Sequence, residues 1–349
     1  MGFLPKKKRR NVGLDIGSSL IKVVDLETGG KGAMLHNYGI GALPPDVIVD
    51  GEVMDREVVV DTIKGLFASK GITKTAVATA LSGRGVIVKK ITMEKMREAE
   101  AREQIRWEAE QHVPFDISDV SLDFQIVDTE SAPDQMDVLL VAAKRENVTA
   151  RVNLLQEAGL DTVLVDVAAF AIQNVYEANY GFEPGQLIAL VNVGAETSGI
   201  NFVKDGISFF TRDLSTAGGD CSQRLQKELG VGYEQATEIL KGESLEAVGM
   251  DQLQPILRSF GEDLAVGIER TLPYLPSSDE TRKMNRIVMS GGGAMIPGLA
   301  DFLQERFEIP VEIIDPFQRI EYAPDLFGPQ GPKSTGPIIA QAIGLAMRE

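Results

Sequence analysis

The sequence predicts a two-lobed α/β protein made of two related halves, with a small α+β subdomain inserted in the first. Three observations predict it. A strand–glycine–turn–strand pattern occurs twice: residues 12–24 read Val-Gly-Leu-Asp-Ile-Gly-Ser-Ser-Leu-Ile-Lys-Val-Val, and residues 189–202 read Ala-Leu-Val-Asn-Val-Gly-Ala-Glu-Thr-Ser-Gly-Ile-Asn-Phe. Asp15 and Gly17 match Asn192 and Gly194 at one constant offset, close to half the chain. Strand and helix patterns then alternate through both halves, and residues 92–160 carry a helix–strand–strand–helix–strand run of their own.

The elements follow in order. Residues 11–26 are strand segments about Ser18-Ser19, and Met34–Ile40 and Ala76–Leu81 read as further strands. Between them Asp55–Lys70 places Val58, Val59, Ile63, Leu66 and Phe67 at helical spacing, and Gly71 is a natural stop. Val86–Ile91 is a strand. Thr92 is expected to cap a helix marked by Met96, Ile105, Ala109 and Val113, ended by Pro114. Strands at Leu122–Val127 and Val138–Ala143, a helix at Asn147–Ala158 and a strand at Leu160–Val165 follow. The second half has strands at 187–193, 198–204 and 207–212. Helices are expected at Ser222–Leu229, with Asp220 as N-cap, and at Tyr233–Lys241, Pro255–Tyr274, Leu299–Phe307 and Ile338–Met347. Arg286–Met289 is a strand entering Ser290-Gly-Gly-Gly-Ala-Met-Ile-Pro-Gly298, and residues 323–337 are loop.

Composition narrows the function. With 349 residues, 44% hydrophobic and 25% charged, the chain has ample material for two cores. It has no apolar run long enough to span a bilayer. The basic N-terminal run lacks the apolar stretch of a secretory signal. The single cysteine, Cys221, excludes an internal disulfide and reads as a buried thiol in a reducing compartment. A net charge of −16 argues against general nucleic-acid binding. Residues 91–140 hold 13 Asp and Glu against 4 Lys and Arg, so more than half of that excess sits in one segment. Such a segment is either a solvated face or a surface for a basic partner.

The chemistry-bearing residues cluster in three motifs. In Asp15-x-Gly17-Ser18-Ser19-x-x-Lys22, an Asp at a strand end suits Mg²⁺ held through water, and Gly17, Ser18 and Ser19 offer backbone and hydroxyl donors. Lys22 returns from the second strand toward a phosphate oxygen. A simple tight hairpin accounts for the same residues. Asn192-x-Gly194-Ala195-x-Thr197 is the second motif. Asn192 can hold water or metal-bound water but lacks the carboxylate of a general base, which lowers expected hydrolysis more than binding. The third, Gly291, Gly292 and Gly293 after Ser290, allows close backbone approach but lacks dinucleotide spacing. No Walker A sequence, metal-ligand cluster or nucleophile elbow is present. His36 and His112 read as structural or exposed, and Trp107 on the acidic helix as packing first and a partner contact second.

The order phosphate hairpin, second phosphate hairpin, strand–triple-glycine–helix resembles the actin-like ATPase superfamily. Within it the chain most resembles the PilM family of type IV pilus assembly proteins, over nearly its whole length. The carrying residues are Val12–Ser19 with Lys22, Ile105-Arg-Trp-Glu-Ala-Glu-Gln-His-Val-Pro-Phe115, Asp166-Val-Ala-Ala-Phe170, Gly218-Gly219 and Ser290–Gly298. The resemblance implies two actin-like, duplicated ribonuclease-H-like lobes with ATP and Mg²⁺ between them. It implies Asp15 and Asn192 as metal positions through water. Gly17, Ser18, Ser19, Lys22, Gly194, Ala195 and Thr197 would cradle phosphates, and Gly218, Gly219, Gly291, Gly292, Gly293 and Lys241 would approach the nucleoside.

The implied partner is the cytoplasmic N-terminal tail of PilN, bound in a groove beside the inserted subdomain, with the protein recruited to the inner face of the inner membrane. The tail precedes a membrane span and would be basic, which suits the acidic segment. The division implied is 1–10 a basic flexible leader, 11–91 the first lobe, 92–160 the inserted subdomain and 161–184 the rest of the first lobe. Residues 185–337 form the second lobe with a helical subdomain near 222–285, and 338–349 a C-terminal helix returning to the first. Other readings are an active ATPase or small-molecule kinase using Asp166, or a filament former similar to FtsA. The end of this sequence shows no amphipathic membrane helix of the FtsA kind.

Overall fold

Alternating apolar residues on both sides of a tight glycine turn dictate the first hairpin. In the computed structural model, which describes residues 8–30, 32–243, 248–275, 284–328 and 331–348 (backbone only at 129–132), β1 (Arg9–Ile16) and β2 (Leu20–Gly29) pair antiparallel with Asp15 opposite Lys22. β3 (Gly32–Ala42) continues the meander. A small ribbon, β4 (Ile48–Val49) with β5 (Glu52–Val53), leads to α1 (Arg56–Lys70). Asp55 caps α1 by accepting from Val58 N–H, and Gly71 ends it at φ 62°. Val59, Ile63 and Leu66 turn its apolar face onto Val12, Leu14 and Val23 of the sheet. β6 (Ala76–Leu81) then lies parallel to β1.

The inserted unit follows. β7 (Val86–Glu94), β8 (Val120–Ala132) and β9 (Gln135–Lys144) form an antiparallel ribbon, and α2 (Glu98–Glu110) covers it with Ala101, Ile105 and Ala109. The expected cap Thr92 is still strand: its hydroxyl donates to Asp137 Oδ1 at 2.7 Å, and Arg97 is the helix N-cap instead. Cross-strand pairing outweighs capping preference there. α3 (Arg145–Glu157), β10 (Asp161–Val167, parallel to β6) and α4 (Ala168–Asn179) return the chain to the first lobe.

The second half repeats the plan with β11 (Leu187–Val193), β12 (Ser198–Lys204) and β13 (Ile207–Leu214) as its meander. The helices α5 (Gly218–Leu229), α6 (Tyr233–Leu240) and α7 (Met250–Glu269) come next. Asp220 is the third residue of α5, not its cap, and accepts from Ala217 N–H at 2.8 Å. α7 begins before the expected Pro255, which it contains. β14 (Arg286–Ser290), α8 (Leu299–Phe307), β15 (Val311–Ile313), β16 (Ile320–Tyr322) and α9 (Gly336–Ala346) complete the chain.

Beside the β4-β5 ribbon, the described residues form two large sheets, ordered β10-β6-β1-β2-β3-β16 and β15-β14-β11-β12-β13-β7-β9-β8. Two features depart from the expected division. β16, placed with the second lobe by sequence, pairs parallel with β3 of the first. The ribbon inserted in the first lobe joins the second lobe's sheet through one residue pair, Phe210 and Lys89. The leader expected at 1–10 is also shorter, since Arg9 and Arg10 are strand and Arg10 forks onto the buried Asp25; residues 1–7 lie outside the described residues.

Helices α4 and α9 sit in one core with both sheets: Ile172, Val175, Ile339 and Ile343 pack with Val24 and Leu26 on one side and Leu190 and Val288 on the other. Their contacts are backbone-close. A Cβ on Gly344 would lie 1.8 Å from Ala171 O, and one on Gly13 would lie 2.0 Å from Ala342 O. Only glycine permits that approach. α9 is thereby pinned against the strand that carries Asp15. In the second lobe Cys221 is fully buried, which pushes its thiol up to about 12 and leaves it inert.

Candidate functional site between the two hairpins

Both hairpins close the same way. Gly17 N–H donates to Leu20 O at 3.1 Å, and Gly194 N–H donates to Thr197 O at 3.0 Å. A Cβ on Gly194 would fall 2.7 Å from Thr197 O, so the second turn requires glycine. The strand-end residues before these turns meet in a line across the lobes. Lys22 Nζ stands 2.9 Å from Asp15 Oδ2, and Gln341 Nε2 donates to Asp15 Oδ1 at 2.7 Å. Gln341 Oε1 accepts from Asn192 Nδ2 at 3.0 Å, and Ser290 Oγ donates to Asn192 Oδ1 at 3.2 Å. Asp15 is 6% exposed, so its charge depends on these partners.

The glycines gather around this line. Gly218 N–H donates to Gly194 O at 2.9 Å and Gly219 N–H to Ala195 O at 2.7 Å, which docks the start of α5 on the second hairpin. Those two N–H groups are therefore occupied by protein. Gly291 has φ 82°, and a Cβ there would lie 2.4 Å from Val193 O and 2.6 Å from Asn192 Oδ1. Gly293 is pressed on Val193, whereas Gly292 is exposed with open space where a Cβ would be. Of the sequence-predicted residues, Asp15, Gly17, Lys22, Asn192, Gly194, Ala195, Thr197, Gly218, Gly219, Gly291 and Gly293 are thus brought together. Ser18 and Ser19 lie at the first turn, half-buried. Lys241 is exposed at the C-cap of α6, and no described contact ties it to the hairpins.

Sequence reasoning missed Gln341. Its signal was available, because it is the one polar side chain among the apolar residues of α9. It also missed two further bridges between the lobes. Glu196 Oε2 accepts from Asp50 N–H at 3.1 Å, and Asp213 Oδ2 accepts from Gly83 N–H at 2.5 Å. Burial raises both carboxyls above their ordinary range. Asp213, Asn192, Gly199, Ser82, Ala168 and Gln341 enclose a cavity of about 50 Å³, room for water alone.

Asp166 does not face open space. It is buried, accepts from Val167 N–H at 2.8 Å, and has Arg348 Nε 2.9 Å from its Oδ2. Trp107 is not packing: it is 71% exposed on α2, beside Glu103, Arg106 and Glu110.

The donor set suits a polyphosphate with hydrated Mg²⁺. Among the described residues no three His, Cys, Asp or Glu side chains converge as a metal cage. One buried carboxylate, one amide, hairpin amides and a lysine match a cation that keeps its waters and binds largely through phosphate.

Two mixed sheets with matching hairpins, held by paired helices between them, define a two-lobed actin-like protein. The fold is that of the ethanolamine utilization protein EutJ from Carboxydothermus hydrogenoformans (16% identity over 98% of this chain and 91% of that one, TM-score 0.61). It is also that of MreB 5 of Spiroplasma citri bound to AMPPNP (14% identity over 96% and 94%, TM-score 0.55). More specifically, the chain belongs to the family of the type IV pilus assembly protein PilM, whose model matches residues 13–349. A chain of the PilM-PilN type IV pilus biogenesis complex is similar at 28% identity over 97% of this chain and 98% of that one, with a TM-score of 0.82. No described helix is long and apolar enough to cross a membrane.

Proposed function

We propose that this protein is an ATP-binding adaptor of the type IV pilus inner-membrane platform, which takes the cytoplasmic N-terminal tail of PilN and changes conformation with nucleotide. The observation that carries the reading is the joint Asp15–Gln341–Asn192, through which both hairpins bear on α9. Nucleotide entering between the hairpins must displace or redirect this joint, because the cavity beside it, about 50 Å³, is too small for a nucleotide. Lys22 turns to the phosphates, Gln341 yields, and α9 transmits the change to both sheets. Bound Mg²⁺ would neutralise phosphate charge, with Asp15 and Asn192 holding its waters. The amide at Asn192 favours binding over rapid hydrolysis.

The partner surface in this reading is the inserted subdomain, taken as residues 92–160. Its outer helix α2 is acidic and presents Trp107 to solvent, a combination suited to a basic peptide with an apolar anchor. Recruitment to the inner face of the inner membrane would follow from that contact. The PilM-PilN complex among the similar structures supports PilN as the partner.

The test titrates a peptide of the PilN N-terminal tail into the full chain with Mg-ATP, Mg-ADP, a non-hydrolysable analogue, or no nucleotide. An affinity that differs at least threefold between nucleotide states is expected, with turnover well below about 1 s⁻¹, the slow end for ordinary enzymes. Equal affinity in every state would remove the switch. Turnover near or above that rate would make the protein an ATPase or kinase.

A further inference from the structure

Arg151 is a half-buried cation for which no described residue supplies a hydrogen bond or ion pair, and its Nη1 is turned into the protein. It lies on α3, one turn before Leu154 and Leu155, which pack in the same core as Leu14, Ile21 and Ile16 at the Asp15 end of β1. Its Nη1 is shut off from solvent without a hydrogen-bond partner, and among the described residues the side chain makes no ion pair within 4 Å. Burial penalises its charge, and Asp15 is the group whose field opposes that penalty. Both Asp15 oxygens already have a partner, Lys22 on Oδ2 and Gln341 on Oδ1, and Arg151 is on neither. Lys22 therefore holds Asp15 directly, while Arg151 feels its field without touching it, and the better carboxylate partner of the two, the planar guanidinium, is the one left out. A guanidinium nitrogen shut off from solvent without a partner is costly, and such a cost is met where another state of the protein pairs it.

We propose that Arg151 is the reserve partner of Asp15: when Lys22 turns to the phosphates of the nucleotide, Arg151 takes the carboxylate oxygen that Lys22 leaves. The inference rests on the nucleotide reading above. Without the exchange, drawing Lys22 away would strand a buried carboxylate beside incoming phosphate charge. With it, Asp15 stays paired, and the flexible ammonium is released to the ligand. Arg151 is thus a positioning residue that acts through Asp15 and Lys22.

The experiment has a binding arm and a melting arm on the full chain. R151M is expected to weaken Mg-ATP binding about tenfold, the worth of a charge-assisted hydrogen bond, while nucleotide-free Tm stays level or rises. In a K22M background Arg151 is already on Asp15, so adding R151M lowers nucleotide-free Tm by several degrees. R151K, which keeps the charge, retains part of the affinity. Unchanged ATP affinity in R151M overturns the proposal. So does a Tm loss equal in the wild-type and K22M backgrounds, which would mark Arg151 as ordinary packing. The melting arm needs no ligand: a wild type that fails to bind ATP overturns the nucleotide reading and the trigger, whereas a missing Lys22–Arg151 coupling overturns Arg151 alone.

Discussion

Gln341 Nε2 donates to Asp15 Oδ1 across 2.7 Å, although the two residues are 326 positions apart. The end of the first strand is thereby read by the last helix, and the other end of the same amide accepts from Asn192 of the second lobe. Q341L keeps the volume and removes both bonds, leaving Asp15 Oδ1 and Asn192 Nδ2 without these partners. A loss of about 1–3 kcal/mol in unfolding free energy is expected, together with loss of the nucleotide dependence of PilN-tail binding. Denaturant melts and the peptide titration read the two effects separately. Retained nucleotide dependence would show that α9 does not carry the signal.

The three glycines after Ser290 should not behave alike. G291A forces a Cβ to within 2.4 Å of Val193 O at a φ of 82°, and a loss above about 2 kcal/mol is expected. G292A meets nothing within 4 Å and should stay within about 0.5 kcal/mol, so any change in ATP affinity there reports on ligand contact. Equal destabilisation by the two would contradict the packing described.

Asp213 ties the second lobe to Gly83 of the first from an exposed position, and desolvation by the protein packed around its carboxyl raises it above the ordinary 3.8. A group with a raised native pKa binds its proton more tightly folded than unfolded, so its contribution to stability falls as pH rises through the window above 3.8. D213N keeps an acceptor for Gly83 N–H without the charge. It should melt at or above the wild-type temperature at pH 7, with the difference shrinking as pH falls through the native pKa. A D213N variant that melts well below wild type at pH 7 would show that the charge itself holds the lobes.

Trp107 should cost little and matter much. W107A is expected to change stability by less than about 0.5 kcal/mol, because the side chain is 71% exposed. It is expected to weaken PilN-tail binding by about tenfold, as an aromatic anchor would. As the sole tryptophan, it also gives a direct readout: its emission should shift to the blue when the peptide covers it. Unaltered emission at saturating peptide would move the partner surface elsewhere.

Much of this was legible before any coordinates. The repeat of Asp15-x-Gly17 as Asn192-x-Gly194 could be read because a strand's two-residue period and a glycine turn are local properties. Those two hairpins indeed close with the same Gly17–Leu20 and Gly194–Thr197 bonds. The boundary errors, Thr92 and Asp220, arose where capping preference competed with a cross-strand bond or a backbone contact that local sequence does not display.

The sequence by itself determined the two-lobed α/β plan, the acidic inserted unit and the residue types at the hairpins. Periodicity, glycine conformation and charge are written residue by residue. Only the tertiary structure decided that β16 crosses to the first sheet, that Gln341 joins Asp15 to Asn192, and that Arg151 Nη1 is turned inward without a partner among the described residues. These depend on which surfaces meet when two sheets close on α4 and α9. A contact between distant positions is set by that packing, not by the pattern of either segment alone.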